Sequence, residues 1–203
     1  MIYASRRLLL SLLFAVSVAG AGSAAPSAPE AFIETMGADV IAVLADKSLD
    51  QPKRETRFRE MLQSSFDAET TGRVVLGRYW NQATEQERQT FQPLYRDYLI
   101  RIYASRFSKF NGEKFVVKGT RPESDGDTIV QSEIQPPASG GSTYTVNWRV
   151  RKEGDNYRIV DVMADGVSLL VTHNQEFSSI IQNNGGKVQG LLDALKQRAA
   201  RTN

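Results

Sequence analysis

Two periods of apolar positions divide the chain. Phe32, Met36, Val40, Val43 and Leu44 recur at spacings of three and four, which is one face of a helix. Asp50-Gln51-Pro52 punctuates, and Asp50 is placed to cap a second helix carrying Phe58, Leu62 and Phe66. Asp67 precedes a short third helix over 68–76 that stops near Gly77. Thr84 and Glu87 then spell a T-x-x-E capping box, in which two orphan backbone donors are satisfied reciprocally. From there Phe91, Leu94, Tyr95, Tyr98, Leu99, Ile102, Tyr103 and Phe107 run down one broad face. Pro93 inside this run predicts a kink or a split, and Asn111-Gly112 ends it.

After Gly112 the period falls to about two. Residues 114–121, 128–135, 143–151 and 157–163 are rich in Val, Ile, Thr, Tyr and Trp and predict strands. Asp125-Gly126, residues 136–142 and Gly154-Asp155-Asn156 supply the turns, and turns this short make neighbouring strands antiparallel. Tyr144, Val146, Trp148 and Val150 alternate with Thr145, Asn147, Arg149 and Arg151, so one face is covered and the other wet. A fifth short strand is expected within 166–170. Helical segments around 176–183 and 188–198 follow, separated by Gly185-Gly186. The fold class is therefore α+β: a twisted antiparallel sheet of four to five strands covered by N- and C-terminal helices.

The first residues do not fit that plan. Residues 1–7 are basic and 8–19 apolar. Ala19-Gly20-Ala21 and Gly22-Ser23-Ala24 then offer small-residue cleavage sites. This is the layout of a secretory signal peptide over residues 1–25, its apolar run shorter than the about 20 residues of a membrane span. One exported α+β domain is expected over 26–203. Arg6 and Arg7 are the leader's only charges, which leaves 23 bases against 23 acids beyond it. A neutral domain argues against a nucleic-acid binder. The absence of cysteine excludes a disulfide scaffold, a thiolate zinc site, a cysteine nucleophile and a lipid anchor on an N-terminal Cys.

Candidate chemistry is sparse. No H-E-x-x-H, G-x-S-x-G or phosphate-loop motif is present. His173 is the only imidazole, which excludes a His-rich metal site, and it is expected at the surface or in a cap. Asp165, Ser168 and His173 lie close in sequence, but their spacing matches no nucleophile elbow. Asp161 has two readings: a pocket base, as in small cone-shaped α+β isomerases, or a hydrogen-bonded carboxylate at a strand end. The lack of a plausible acid partner favours the second. The surplus is apolar instead: eight positions on the 91–107 face, and Trp80 in an expected loop. That pattern fits a helix–sheet sandwich with room for an apolar ligand, and equally an ordinary core.

Particular strings carry a resemblance. Val75-Leu76-Gly77-Arg78-Tyr79-Trp80, Ala83-Thr84, Glu87-Arg88, Phe91, Tyr98-Leu99 and Tyr103 resemble the first half of the MlaC family. Tyr157-Arg158-Ile159-Val160-Asp161-Val162, Gly166-Val167-Ser168-Leu169, Thr172, Glu176-Phe177, Gly185-Gly186 and Leu191-Leu192 resemble its second half. The resemblance covers residues 30–198. It implies a soluble, monomeric periplasmic carrier that holds phospholipid as cargo and needs no cofactor, catalytic group or metal. It also implies an apolar cavity between helices and sheet, in the open cone of the nuclear transport factor fold. The implied partners are an inner-membrane ABC transporter with an MCE-domain subunit and an outer-membrane lipoprotein complex. The implied role is maintenance of outer-membrane lipid asymmetry. On this reading the cavity lining is expected from Trp80, Tyr98, Ile102, Tyr103 and Phe107 on the helical side. Val146, Trp148, Val150 and Val162 are expected from the sheet, and Val167, Leu169, Phe177 and Ile181 from the closing segment. Two other readings stand beside it: a small-molecule enzyme using Asp161 with Tyr144 or Tyr157, and a structural adaptor whose pocket is a filled core.

Overall fold

The computed structural model describes residues 28–107, 110–138 and 140–200, the side chains of 104–107 excepted. The expected leader, residues 1–25, lies outside the described residues. Five helices come first: α1 (Ala28–Ala45), α2 (Gln51–Ser65), α3 (Ala68–Leu76), α4 (Arg78–Gln82) and α5 (Glu85–Phe107). Five strands follow: β1 (Lys114–Pro122), β2 (Thr128–Gln135), β3 (Tyr144–Glu153), β4 (Asn156–Ala164) and β5 (Val167–Ser168). Helices α6 (Leu169–Asn183) and α7 (Val188–Ala200) close the chain. The strands pair antiparallel in the order β1-β2-β3-β4-β5, a simple meander. Among the described residues no helix is long and apolar enough to cross a membrane.

The helix starts follow the caps read from the chain. The Asp50 carboxylate accepts from the Lys53 N–H at 3.0 Å and that of Asp67 from the Thr70 N–H at 2.8 Å. Glu87 accepts from the Thr84 N–H at 2.8 Å while Thr84 Oγ1 accepts from the Glu87 N–H at 3.2 Å. Pro93 does not split α5. Phe91, Tyr95, Tyr98 and Leu99 around it are all buried. Their burial, roughly 1.5–3 kcal/mol for each, outweighs the about 3 kcal/mol that an interior proline costs.

Two other expectations fail locally. Residues 78–82 form α4 instead of a loop around Trp80, and α6 begins at Leu169, well before residue 176. Ser168 makes the difference in α6: its Oγ accepts from the Val171 N–H at 3.2 Å. A capping hydroxyl thus starts the helix at Leu169 and confines the strand expected within 166–170 to Val167–Ser168.

Two apolar cores result. One is helical: Val75, Leu76, Tyr79, Phe91, Tyr95, Tyr98, Leu99, Phe177, Ile181, Leu191 and Leu192 join α3–α7. The other lies between α1 and the sheet and is built from Ile33, Val130, Val150 and Ile159, with Phe115, Trp148 and Val162 around them. Here α1 sits so close that a methyl on Gly37 would lie 2.2 Å from the Phe115 ring. The broad face of α5 is therefore wide because it meets several helices, and not because it covers the sheet. The outer sheet face is not simply wet, since Ile129 is fully buried and Arg149 and Arg151 are half-buried. Arg151 forks onto the buried Asp127 with two bonds of 2.8 and 2.9 Å.

Candidate apolar site

A cavity of about 280 Å³ opens at the seam of the two cores. Met36 and Val40 of α1 and Phe58, Met61, Leu62 and Ser65 of α2 form one wall. Tyr95, Leu99 and Tyr103 of α5, with Leu169, Leu170 and His173 of α6, form another. The sheet contributes Ile134, Trp148, Ile159, Asp161 and Val162. The wall is almost wholly carbon, so a molecule inside exchanges water for apolar contact.

Local irregularity places the sheet residues. Asp161 pairs with Arg149 while Ile159 pairs with Val150, which leaves Val160 as the extra residue of a β-bulge. Regular alternation would put 159 and 161 on the face opposite 162. With the bulge, all three line the cavity. Trp148 is fixed by a relay: its Nε1–H donates to Ser132 Oγ at 2.9 Å, and that hydroxyl donates to the Val146 carbonyl at 2.7 Å.

The one carboxylate among the lining residues is engaged in structure. Asp161 Oδ1 accepts from the Val162 N–H at 2.7 Å and the Leu170 N–H at 3.3 Å, and Oδ2 accepts from Ser168 Oγ at 2.7 Å. It braces β4 to the first turn of α6, the hydrogen-bonded carboxylate preferred from sequence. Ser168 is spent on that brace and on its cap, and Asp165 accepts from the Thr145 N–H at 3.1 Å. Asp165, Ser168 and His173 therefore do not assemble into a triad.

His173 corrects an expectation. It is neither a surface nor a capping residue but 5% exposed, set among Tyr95, Tyr98 and Phe177 at ring-centroid distances of 6.1, 5.4 and 6.1 Å. Burial pushes its pKa below the usual histidine value, and the nearby Glu176 and Asp161 carboxylates only partly oppose this. In the unfolded chain the ring protonates near pH 6.5, so unfolding takes up a proton in the window just below that value. Stability contributed by the neutral ring is complete above about pH 6.5 and declines as pH falls through the window. Urea unfolding at a series of pH values should show this loss in the wild type, and His173→Phe should flatten it. Equal slopes for both proteins would refute the assignment.

Beside this ring, Tyr98 Oη donates to Glu176 Oε2 at 2.7 Å and Arg198 Nη1 donates to Oε1 at 2.6 Å, tying α5, α6 and α7. Burial works to raise the Glu176 carboxyl, but the Tyr98 and Arg198 donors prevail and hold it below the usual range.

Of the residues expected to line a cavity, Tyr103, Trp148, Val162 and Leu169 do so. Tyr98, Phe177 and Ile181 are buried in the helical core, and Trp80 and Ile102 pack against it. Val150 belongs to the sheet core, Val146 is buried away from the lining, and Val167 is 61% exposed. The Phe107 side chain lies outside the described residues. The displaced positions of α5 and α6, Tyr98, Ile102, Phe177 and Ile181, share one cause: these helices face each other and α7, so their apolar faces meet helices instead of a gap over the sheet. The α1 and α2 lining and Tyr95, Leu99 and His173 were missed. The three- and four-residue spacing of Phe58 and Leu62 marks a face, but not what that face meets.

Comparison with known proteins follows the same lines. The family described as MlaC protein matches residues 34–197. The toluene tolerance protein ttg2D of Pseudomonas putida is 19% identical over 120 residues, 59% of this chain and 55% of that protein. The intermembrane phospholipid transport system binding protein MlaC of Haemophilus influenzae is 20% identical over 147 residues, 71% of this chain and 68% of that one. The chain thus spans little more than half to two-thirds of these relatives. A phospholipid-binding protein of Ralstonia solanacearum, solved in complex with a phospholipid, superposes with a TM-score of 0.72 at 26% identity. That match covers 84% of this chain and 96% of the other.

Proposed function

Since the chain belongs to the MlaC family, we propose that it is a soluble periplasmic phospholipid carrier that is not an enzyme. It takes acyl chains into the seam cavity, leaves the headgroup in water, and shuttles between an inner-membrane MCE/ABC transporter and an outer-membrane lipoprotein complex. The observation that carries this reading is the dry wall of the cavity, on a fold similar to one solved with phospholipid bound. Each acyl CH₂ exposed to water costs about 0.8 kcal/mol, so two chains with about thirty such groups cost about 24 kcal/mol gross. A water-soluble carrier therefore has to supply a lining as apolar as the bilayer.

The cavity sits just under the about 300–1,000 Å³ common for small-molecule sites, so two chains require a wall to give. Helix α2 is that wall, for it contributes four lining residues and has no buried residue of its own. Its polar ties to the rest of the chain include Arg59 to Asp97 of α5, Arg158 of β4 to the Gln63 and Ser64 carbonyls, and Arg54 to the Asp46 carbonyl. Its C-terminal end is pinned to the sheet, where the Asp67 N–H donates to the Ile159 carbonyl at 3.0 Å. The enzymatic reading through Asp161 draws little support from a carboxylate whose two oxygens accept three bonds inside the protein.

Native mass spectrometry of protein purified without detergent tests the proposal. The expected result is a near-stoichiometric adduct of phospholipid mass; a clean apo mass with no uptake from liposomes would overturn it. Lipid removal has its own expected outcome. A ligand at about a hundredfold its Kd stabilises by about 2.7 kcal/mol, so delipidated protein should melt several degrees lower. A melting temperature within about two degrees of the loaded sample would contradict a cavity that needs filling.

A further inference from the structure

His173 lines the cavity, and its Nδ1 has no hydrogen-bond partner although the residue is almost wholly enclosed. Three aromatic rings pack around the imidazole. Phe177 lies nearly parallel to it, at 11°, while Tyr98 and Tyr95 meet it at steep angles of 75° and 85°. Beyond those rings the imidazole borders the space that an acyl chain would fill.

The charges that act on the ring come from Glu176 of its own helix and Asp161 of β4. Both carboxylates are bonded to other donors: Glu176 to Tyr98 and Arg198, and Asp161 to Ser168 and the Val162 and Leu170 N–H groups. The Arg198 guanidinium, the cation that α7 brings to the cluster, is held on Glu176. Helix α5 brings the phenols of Tyr95, Tyr98 and Tyr103, and burial raises the first two above the ordinary tyrosine range, so they stay neutral. Helices α1 and α2 across the cavity and α3 behind α6 bring no charge that acts on the ring. A protonated imidazole carries an N–H at both nitrogens, and the protein offers Nδ1 no acceptor. Water admitted to the empty cavity can supply one and solvate the charge. Acyl chains displace that water and leave a carbon wall, which disfavours the charged form.

We infer that a proton on His173 and an acyl chain compete for the seam cavity, so that acid releases cargo and cargo expels the proton. The inference rests on the carrier reading and adds a regulation to it. The ring is neutral above about pH 6.5, so cargo affinity is complete there and declines as pH falls through the window below. Coupling between two ligands is reciprocal, so lipid that enters within this window drives a proton into solution.

Calorimetric titration of delipidated protein with dihexanoyl phosphatidylglycerol below its micelle concentration tests the competition, for its phosphate stays ionised throughout the range. Wild-type protein should bind about threefold or more weakly at about pH 5.5 than at about pH 7.5, the effect of a half-unit difference in pKa between the empty and loaded states. Titration near about pH 6 in two buffers of different ionisation enthalpy should show a fraction of a proton released for each lipid bound. His173→Phe, which keeps a ring against Phe177, should bind alike at both pH values and release no proton; His173→Leu does the same where the larger ring disturbs the cluster. Equal wild-type affinity at both pH values, or no proton released, would overturn the inference and leave the carrier standing. So would a pH dependence that persists in both variants, or near-UV dichroism lost at the lower pH, since release would then be unfolding. Protein that holds no phospholipid by native mass spectrometry and takes up none at either pH would instead remove the carrier reading on which the competition depends.

Discussion

Phe177→Ala should lower the free energy of unfolding by about 3–5 kcal/mol, the range for removing a fully enclosed phenyl ring. Phe177 is wholly buried, and Phe91, Tyr95, Tyr98 and His173 all stand within ring-stacking distance. These rings come from α5 and α6, and Tyr98 is further held through Glu176 and Arg198 of α7. The cavity left by the lost ring thus lies where three helices join and cannot close by moving one of them. Denaturant unfolding at pH 7.5 measures the loss. A cost under about 1 kcal/mol, the size of a surface substitution, would mean that α6 is held mainly by its polar bonds.

Met61→Asp should leave stability within about 1 kcal/mol of wild type and reduce bound phospholipid at least about tenfold. The two effects separate because Met61 lines the cavity from a helix with no buried residue. In the empty protein the new carboxylate can turn to water as α2 moves. With acyl chains in place it faces a carbon wall, and burying an unpaired charge there costs several kcal/mol. Quantitative lipid extraction alongside thermal melting reads both quantities. An unchanged lipid load would show that cargo does not lie against α2, and a collapse of the fold would show that α2 belongs to the core after all.

Signals confined to a few neighbouring residues were legible in the chain. Asp50, Asp67 and the Thr84–Glu87 box set their helix starts, because a cap is a bond between side chain and backbone three residues apart. The strands and the meander followed from alternation and short turns. Ser168 shows the limit of composition: one hydroxyl and the Asp161 brace end the fifth strand at residue 168, where the apolar run read as strand to 170. What each face meets was less legible still. Tyr98 and Phe177 had the right chemistry for a lipid wall, but their neighbours are one another. Phe58 and Leu62 were recognised as a helix face without any sign that it borders the opening. Facing depends on contacts tens of residues away, and the Val160 bulge resets it again within β4.

Helix α2 furnishes four of the lining residues but none of the fully buried core. Residues 51–65 can therefore accumulate substitutions that reshape one wall of the cavity, while the helices and strands that keep the protein folded stay as they are.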